Sequence, residues 1–189
     1  MYPTLTQHVR QFVSLDETEA ETLTRFARPI AIKNKAYLLK EGQHCKTEYF
    51  VEQGCLRKYF ITDKGTEQIT QFALEHWWLA DYASLLYNKP SQFYIQSVEP
   101  STVLCFDIDQ QPRLFDRLPQ MERYFRLIAL KANAAAQQRI KFLHDFSKEE
   151  SYRHFSQSFP AFVQRIPQYM LASYLGLTPE YLSEIRKKK

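Results

Sequence analysis

Apolar and polar positions change their spacing twice along the chain, which predicts three successive kinds of structure. A short helix is predicted over residues 15–26, because acidic residues, which favour the N-terminal end of a helix, follow Ser14, and Ser14 with Glu17 three residues later predicts an N-terminal capping box. From Ile30 onward the chain consists of short β-rich runs. After Pro119 these runs end and helical spacing follows.

The β-rich region predicts an antiparallel barrel or sandwich. Three of its runs end at Gly42, Gly54 and Gly65, which stand 12 and 11 residues apart. Glycine suits such turns because it adopts a positive φ without steric cost. Further strands are expected at residues 93–98 and 102–106, and residues 81–86 predict a short helix or turn.

A long helix is predicted from residue 120 to residue 144. Five residues with steps of 4, 3, 4 and 3 share one face of it, namely Met121, Phe125, Ile128, Ala132 and Ala135. The small alanines would let a second helix approach closely, so we expect this face to pair across a homodimer axis. Arg139 on the same face indicates that the seam ends before it. Packing within the same chain is the alternative.

Residues 168–187 have the pattern of a helix-turn-helix motif. Ala172 is the small contact residue, Gly176 makes the turn, Thr178 caps the second helix and Pro179 is its first residue. An αα-hairpin used only for packing is the alternative. If the second helix enters the major groove of DNA, the residues expected to bind DNA are Thr178, Glu180, Tyr181, Ser183, Glu184, Arg186, Lys187 and Lys188.

Composition and charge narrow the function further. Of the 189 residues 44% are hydrophobic and 15% aromatic, which is enough for a packed core and argues against disorder. Only four residues are glycine, and neither of the glycine-rich nucleotide-binding motifs occurs. Residues 1–112 carry a net charge of −3 and residues 113–189 carry +7, which favours a polyanionic partner for the second part.

Several classes of protein are not expected from this sequence. Cys45, Cys55 and Cys105 form no C-x-x-C pair and the histidines form no zinc motif, so we expect no metal site. No catalytic triad can be recognised, so we expect no enzyme activity. Since neither a signal peptide nor an apolar membrane span is evident, the predicted location is the cytoplasm, with no membrane partner.

A β-roll with glycine turns, a long helix and a helix-turn-helix motif together resemble the Crp/Fnr family of bacterial transcription regulators, over nearly the whole chain. Residues 40–43, 49–57 and 65–67 look like the family's β-roll, and residues 77–93 fall where it has its phosphate-binding cassette. The chain is most similar to the divergent, cyclic-nucleotide-binding-like members common in Bacteroidetes.

The resemblance implies an α+β fold in three parts. Residues 1–118 would form an antiparallel, cyclic-nucleotide-binding-like sensor β-roll, residues 119–146 a long dimerisation helix, and residues 147–189 a helix-turn-helix DNA-binding domain.

The cassette predicts an effector pocket that departs from the family pattern. Its residues would be Ala80, Asp81, Tyr82, Ser84, Ser91, Gln92 and Phe93. Where the family has Gly-Glu and an arginine for the cyclic phosphate, this chain has Ala80-Asp81 and Ser91-Gln92, with no replacing cation expected. Losing that charged partner argues against cyclic AMP. The pocket would therefore hold another small molecule or none, and the N-terminal cysteine cluster of the family's iron–sulfur variants is missing.

These features predict an effector-modulated homodimer that binds specific double-stranded DNA sequences as a transcription regulator. The resemblance adds RNA polymerase as a partner. One alternative is a regulatory module that binds a nucleotide or a protein without binding DNA. Another is a small-molecule-binding enzyme subunit, against which the missing catalytic residues argue.

Overall fold

The structure, a computed structural model, describes residues 2–187, apart from the side chain of Leu143. The chain divides into two compact units, one of residues 1–60 and 71–129, the other of residues 61–70 and 130–189. The division falls inside the long helix, whereas the sequence predicted boundaries at both ends of it. The predicted three-part organisation stays a prediction.

The first unit contains helices and two four-stranded sheets, although residues 61–70 at the edge of one sheet belong to the second unit. Its elements in chain order are α1 (Pro3–Arg10), α2 (Glu17–Phe26), β1 (Arg28–Ile32), β2 (Tyr37–Leu39), β3 (Thr47–Gln53), β4 (Leu56–Ile61), β5 (Glu67–Ala73), β6 (Trp78–Leu79), α3 (Tyr82–Tyr87), β7 (Tyr94–Ser97), β8 (Ser101–Asp107), α4 (Gln111–Arg117) and the start of α5 (Gln120–Asp145). One sheet has the order β1-β8-β3-β6 and the other β2-β7-β4-β5. Antiparallel pairing confirms the predicted fold class.

Two apolar clusters form the core of this unit. In one, Leu56, Ile95 and Val103 are fully buried. In the other, helices pack on Phe50 and Trp78. Both arise because alternate residues of a strand point to one face, so each strand contributes an apolar row.

Gly54 is required at the turn between β3 and β4. Its φ is +101°, and a Cβ there would overlap both the side chain and the backbone of Ser101. Only glycine adopts this positive φ without strain and also leaves the space beside Ser101 empty, so its predicted role in a turn is confirmed.

The helix predicted over residues 15–26 exists, but its cap is not the predicted one. Asp16 accepts a hydrogen bond from Glu19 N–H at 2.8 Å, and the Glu19 carboxylate accepts from Asp16 N–H at 2.9 Å. The pair predicted from Ser14 and Glu17 is therefore wrong. An acidic run offers several capping boxes, and here the later one is formed.

The second unit contains the rest of α5 and four short helices. These are α6 (Lys148–Ser158), α7 (Pro160–Arg165), α8 (Gln168–Leu175) and α9 (Pro179–Lys187). Gly176 ends α8 with a φ of +68°, and the Thr178 hydroxyl accepts from Tyr181 N–H at 3.2 Å. Ala172 is fully buried. The predicted turn, cap and contact residue of the helix-turn-helix motif are confirmed.

Helix α5 changes its surroundings along its length. Met121 is fully buried in the core of the first unit, and Phe125 and Ile128 pack partly against that core. Ala132 and Ala135, in contrast, are exposed. The predicted dimer face therefore divides into a beginning that packs within the chain and a middle that is free in this single chain.

Candidate effector pocket and nucleic-acid interface

The carboxylate of Asp81 is used inside the protein. Asp81 is 4% exposed and caps α3, because one oxygen accepts from the N–H groups of Ala83 and Ser84 at 3.1 and 3.3 Å. The other oxygen accepts from the Ser91 hydroxyl at 2.7 Å. A ligand hydroxyl would have to displace one of these donors in order to bind Asp81.

A cation that the sequence did not indicate lies at the cassette, and whether any cation replaces the family's arginine stays a prediction. Lys58 on β4 donates to the carbonyl of Ala80 at 3.1 Å and lies 5.4 Å from the ring centroid of Phe93. Burial lowers the pKa of Lys58, whereas the Asp81 carboxylate raises it. Lys58 was missed because it comes from a strand distant in sequence, where it pairs with Ile95 of β7.

The other predicted pocket residues have different environments. The hydroxyl of Tyr82 hydrogen-bonds to Glu48 on β3, and the Ser84 hydroxyl accepts from Cys45 N–H at 2.9 Å. Gln92 is exposed. The structure thus brings Asp81 and Ser91 together with Ala80, Phe93 and the unforeseen Lys58.

A separate cleft of about 660 Å³ opens on the first unit. It is lined by Leu38, Leu39, Gln43, His44, Lys46, Thr47, Tyr49 and Asn88. None of the predicted pocket residues is among them.

Helix α9 presents a polar face to solvent. Leu182 and Ile185 are buried and fix its orientation within the unit. Six of the residues predicted to bind DNA are exposed, namely Thr178, Glu180, Ser183, Glu184, Arg186 and Lys187. Tyr181 is half-buried against the core of the second unit, and Lys188 lies outside the described residues.

Ser173 of α8 is held by the tip of the β4–β5 hairpin, a contact that the sequence did not indicate. Its hydroxyl accepts from Ile69 N–H at 2.9 Å and donates to the Glu67 carbonyl at 2.7 Å. The side-chain amide of Gln68 donates to the Ser173 carbonyl. Residues 61–70 therefore belong with the helix-turn-helix motif in one unit.

Arg139 of α5 completes this arrangement. Its guanidinium lies over the Tyr174 ring, 3.9 Å from the centroid, and donates to the Tyr174 carbonyl at 2.9 Å and to the Thr70 carbonyl. One side chain thus ties the long helix to α8 and to β5.

Metal and membrane sites were also sought in residues 2–187. Within that range no group of three or more His, Cys, Asp or Glu side chains is arranged to hold a metal ion. None of the helices there is both long and apolar enough to cross a bilayer.

The sequence of the chain is similar to a known domain family and to several bacterial regulatory proteins. Residues 29–117 match the family model of the cyclic nucleotide-binding domain. The anaerobic regulatory protein of Haemophilus influenzae is 26% identical over 186 aligned residues, covering 91% of this chain and 71% of that protein. The fumarate and nitrate reduction regulatory protein of Vibrio cholerae is also 26% identical, with coverages of 91% and 73%.

Solved structures share the fold. FixK2 from Bradyrhizobium japonicum superposes with a TM-score of 0.70 at 16% identity, covering 86% of this chain and 83% of that one. The c-di-GMP-responsive global regulator CLP from Xanthomonas campestris gives a TM-score of 0.75 at 12% identity, with coverages of 92% and 91%.

We predict that Glu48→Gln stabilises the protein at neutral pH and leaves its stability nearly unchanged at acid pH. Burial raises the pKa of Glu48 from 4.5 to about 7, although hydrogen bonds from Tyr82 and Gln111 oppose the rise. Below pH 4.5 the carboxyl is protonated in both the folded and the unfolded chain. Between pH 4.5 and 7 only the unfolded chain ionises, so the wild type loses up to about 3 kcal/mol of stability.

Urea denaturation across this pH range measures the effect. The stability difference between Glu48→Gln and wild type should grow as pH rises from 4.5 to 7. Glu122→Gln, at an exposed position on α5, is the matched control and should give a flat difference. A difference for Glu48→Gln that does not change with pH would show that the buried carboxyl ionises normally.

Proposed function

We propose that the chain is a transcription regulator of the Crp/Fnr type, which binds specific double-stranded DNA as a homodimer under the control of an effector. We include in this proposal that it acts in the cytoplasm and contacts RNA polymerase there.

The helix-turn-helix geometry carries the proposal. Gly176 and the Thr178 cap set the angle between α8 and α9, and buried leucine and isoleucine side chains hold it. The face of α9 that remains is polar and exposed, with Glu180 in the first turn and Ser183 and Glu184 near the middle. A helix of this kind fits the major groove, where such side chains reach the base edges.

Charges on α9 divide naturally into two roles. Arg186 and Lys187 in the last turn are exposed cations suited to the phosphate backbone. Glu180 and Glu184 repel phosphates, so they favour sites where a base such as cytosine offers a donor. In this proposal the cations supply affinity and the acidic residues supply selectivity.

The middle of α5 supports the proposed homodimer. Every residue from 130 to 138 is exposed in the single chain, including Leu130 at 53%. Alanines at 132 and 135 leave room for a second helix close to the axis. A helix that is exposed on all sides over this length is better stabilised if a partner covers one of them.

An effector would act by shifting the population between two placements of the DNA-reading helices. The hairpin tip supports this mechanism because it is continuous with β4, which carries Lys58, and also holds Ser173 of α8. We propose that the effector is not cyclic AMP, since Asp81 already has internal donors for both carboxylate oxygens.

A regulatory module without DNA binding is the competing function. Binding to a pool of random duplexes at low salt separates the two, because only the proposed function enriches particular sequences. If no sequence is enriched by the dimer, the DNA-binding proposal fails.

We expect Glu184→Ala to change base preference more than total affinity, because it removes a base-reading group and no phosphate contact. Lys187→Ala is the matched comparison at a neighbouring exposed position. It should weaken binding on all sequences and reduce the slope of log affinity against log salt by about 1. Titrations on the selected duplex and its single-base variants measure both effects. Equal weakening of every duplex by Glu184→Ala would contradict the assigned role.

Ala132→Glu should break the proposed dimer, because the new carboxylates would meet across the seam without partners. Ala134→Glu is the matched control, since two residues along a helix turn the side chain by about 200° to the other side. Sedimentation velocity should show monomers for the first variant and dimers for the second. Intact dimers for Ala132→Glu would place the interface elsewhere.

Cyclic AMP and cyclic GMP at millimolar concentration should leave the melting temperature unchanged. A ligand at 100 times its Kd would add about 2.7 kcal/mol of stability, which a thermal shift detects readily. Lys58→Gln and the hairpin variant Lys64→Gln form a control pair. A cyclic-nucleotide shift that disappears in Lys58→Gln and persists in Lys64→Gln would overturn the exclusion and locate the ligand at the cassette.

A further inference from the structure

Four arginines line one cleft on the first unit, which shares no lining residue with the cassette. The cleft has a volume of about 340 Å³. It is lined by Thr22, Arg25, Phe26, Arg28, Asp107, Gln110, Arg113 and Arg117. From this convergence we propose that the cleft binds a small phosphorylated molecule that carries at least two phosphoryl groups.

Three separate elements bring the guanidinium groups together. Arg25 is in the last turn of α2, beside Phe26, and Arg28 opens β1. Arg113 and Arg117 are four residues apart on α4, so they share one face of that helix. Like charges repel, and a folded protein that gathers four of them has no energetic gain from the cluster itself. The arrangement becomes favourable when an anion neutralises it.

The residues that line the cleft carry too few negative charges to neutralise the four arginines. Asp107 is the one acidic residue among those lining it, and it lies 3.7 Å from the Arg28 guanidinium. The same carboxylate also accepts from the Thr47 hydroxyl at 2.7 Å. Arg113 donates to the uncharged Gln110 side chain at 3.5 Å. The lining therefore carries a net charge of +3.

This charge and volume favour a compact polyphosphate. A guanidinium group is planar and offers paired N–H donors that match two phosphate oxygens. One phosphate monoester carries a charge of about −1.5 to −2 at pH 7, so two phosphoryl groups are needed to approach −3. The half-buried Phe26 ring gives the cleft an apolar wall against which an organic group could pack.

The test uses inorganic pyrophosphate, measured by isothermal titration calorimetry on the full chain without DNA. We expect saturable binding at about 0.1 M salt, weaker binding of orthophosphate, and a loss of roughly tenfold or more in the double variant R113Q/R117Q. Both arginines are exposed, so the double variant should keep its melting temperature. Asp107→Asn should tighten binding, because it removes the competing carboxylate and keeps an oxygen for Thr47.

The matched control is R123Q/R126Q, which makes the same charge change at exposed positions of α5 outside the cleft. It should bind pyrophosphate as the wild type does. Equal weakening by both double variants would show only nonspecific attraction, and absence of saturable binding would overturn the proposal outright. Retention of a glutamate-rich peptide, without pyrophosphate binding and dependent on Arg113 and Arg117, would mean that the cleft docks an acidic protein instead. None of these outcomes depends on whether the chain binds DNA.

Discussion

The hydrogen bond between the buried Tyr124 hydroxyl and Trp78 anchors the long helix to the β-roll, and the arrangement of the first unit depends on it. Trp78 Nε1–H donates to Tyr124 at 2.8 Å, and His8 Nδ1 lies 2.8 Å from the same oxygen. One hydroxyl thereby joins α1, β6 and α5. Left without this partner, a buried indole N–H would cost about 1–3 kcal/mol. The start of α5 is consequently part of the core and cannot also serve as a partner surface.

This anchor also positions the cassette. Trp78 is followed two residues later by Ala80, whose carbonyl accepts from Lys58, and then by Asp81, the cap of α3. The polar groups at the cassette therefore satisfy one another.

Sequence reasoning succeeded for the helix-turn-helix motif, where the determining contacts are local. The turn at Gly176 and the cap at Thr178 involve residues within a few positions of each other, so their chemistry is visible in the chain. It failed where residues distant in sequence meet. Lys58 of β4 donates to the carbonyl of Ala80, which is 22 residues away in the chain. The arginine cleft is lined by residues of both α2 and α4. Periodicity placed Met121 on a dimer face because it shows which residues are apolar, and not what covers them.

The hairpin tip is the part of the structure that gives the proposed regulation a physical route. Ser173 is tied to Ile69 and Glu67, and Arg139 is tied to Tyr174 and Thr70, so the β5 end of the hairpin, α5 and α8 are bonded in one unit. Most of these bonds involve backbone groups of β5, whose positions follow the strand. A ligand that altered the twist of β4 beside Lys58 would move the paired hairpin and change the bonds to Ser173. Coupling between a ligand beside Lys58 and the position of α8 would therefore need no large rearrangement. It would need only a β4–β5 hairpin that has two placements of similar free energy.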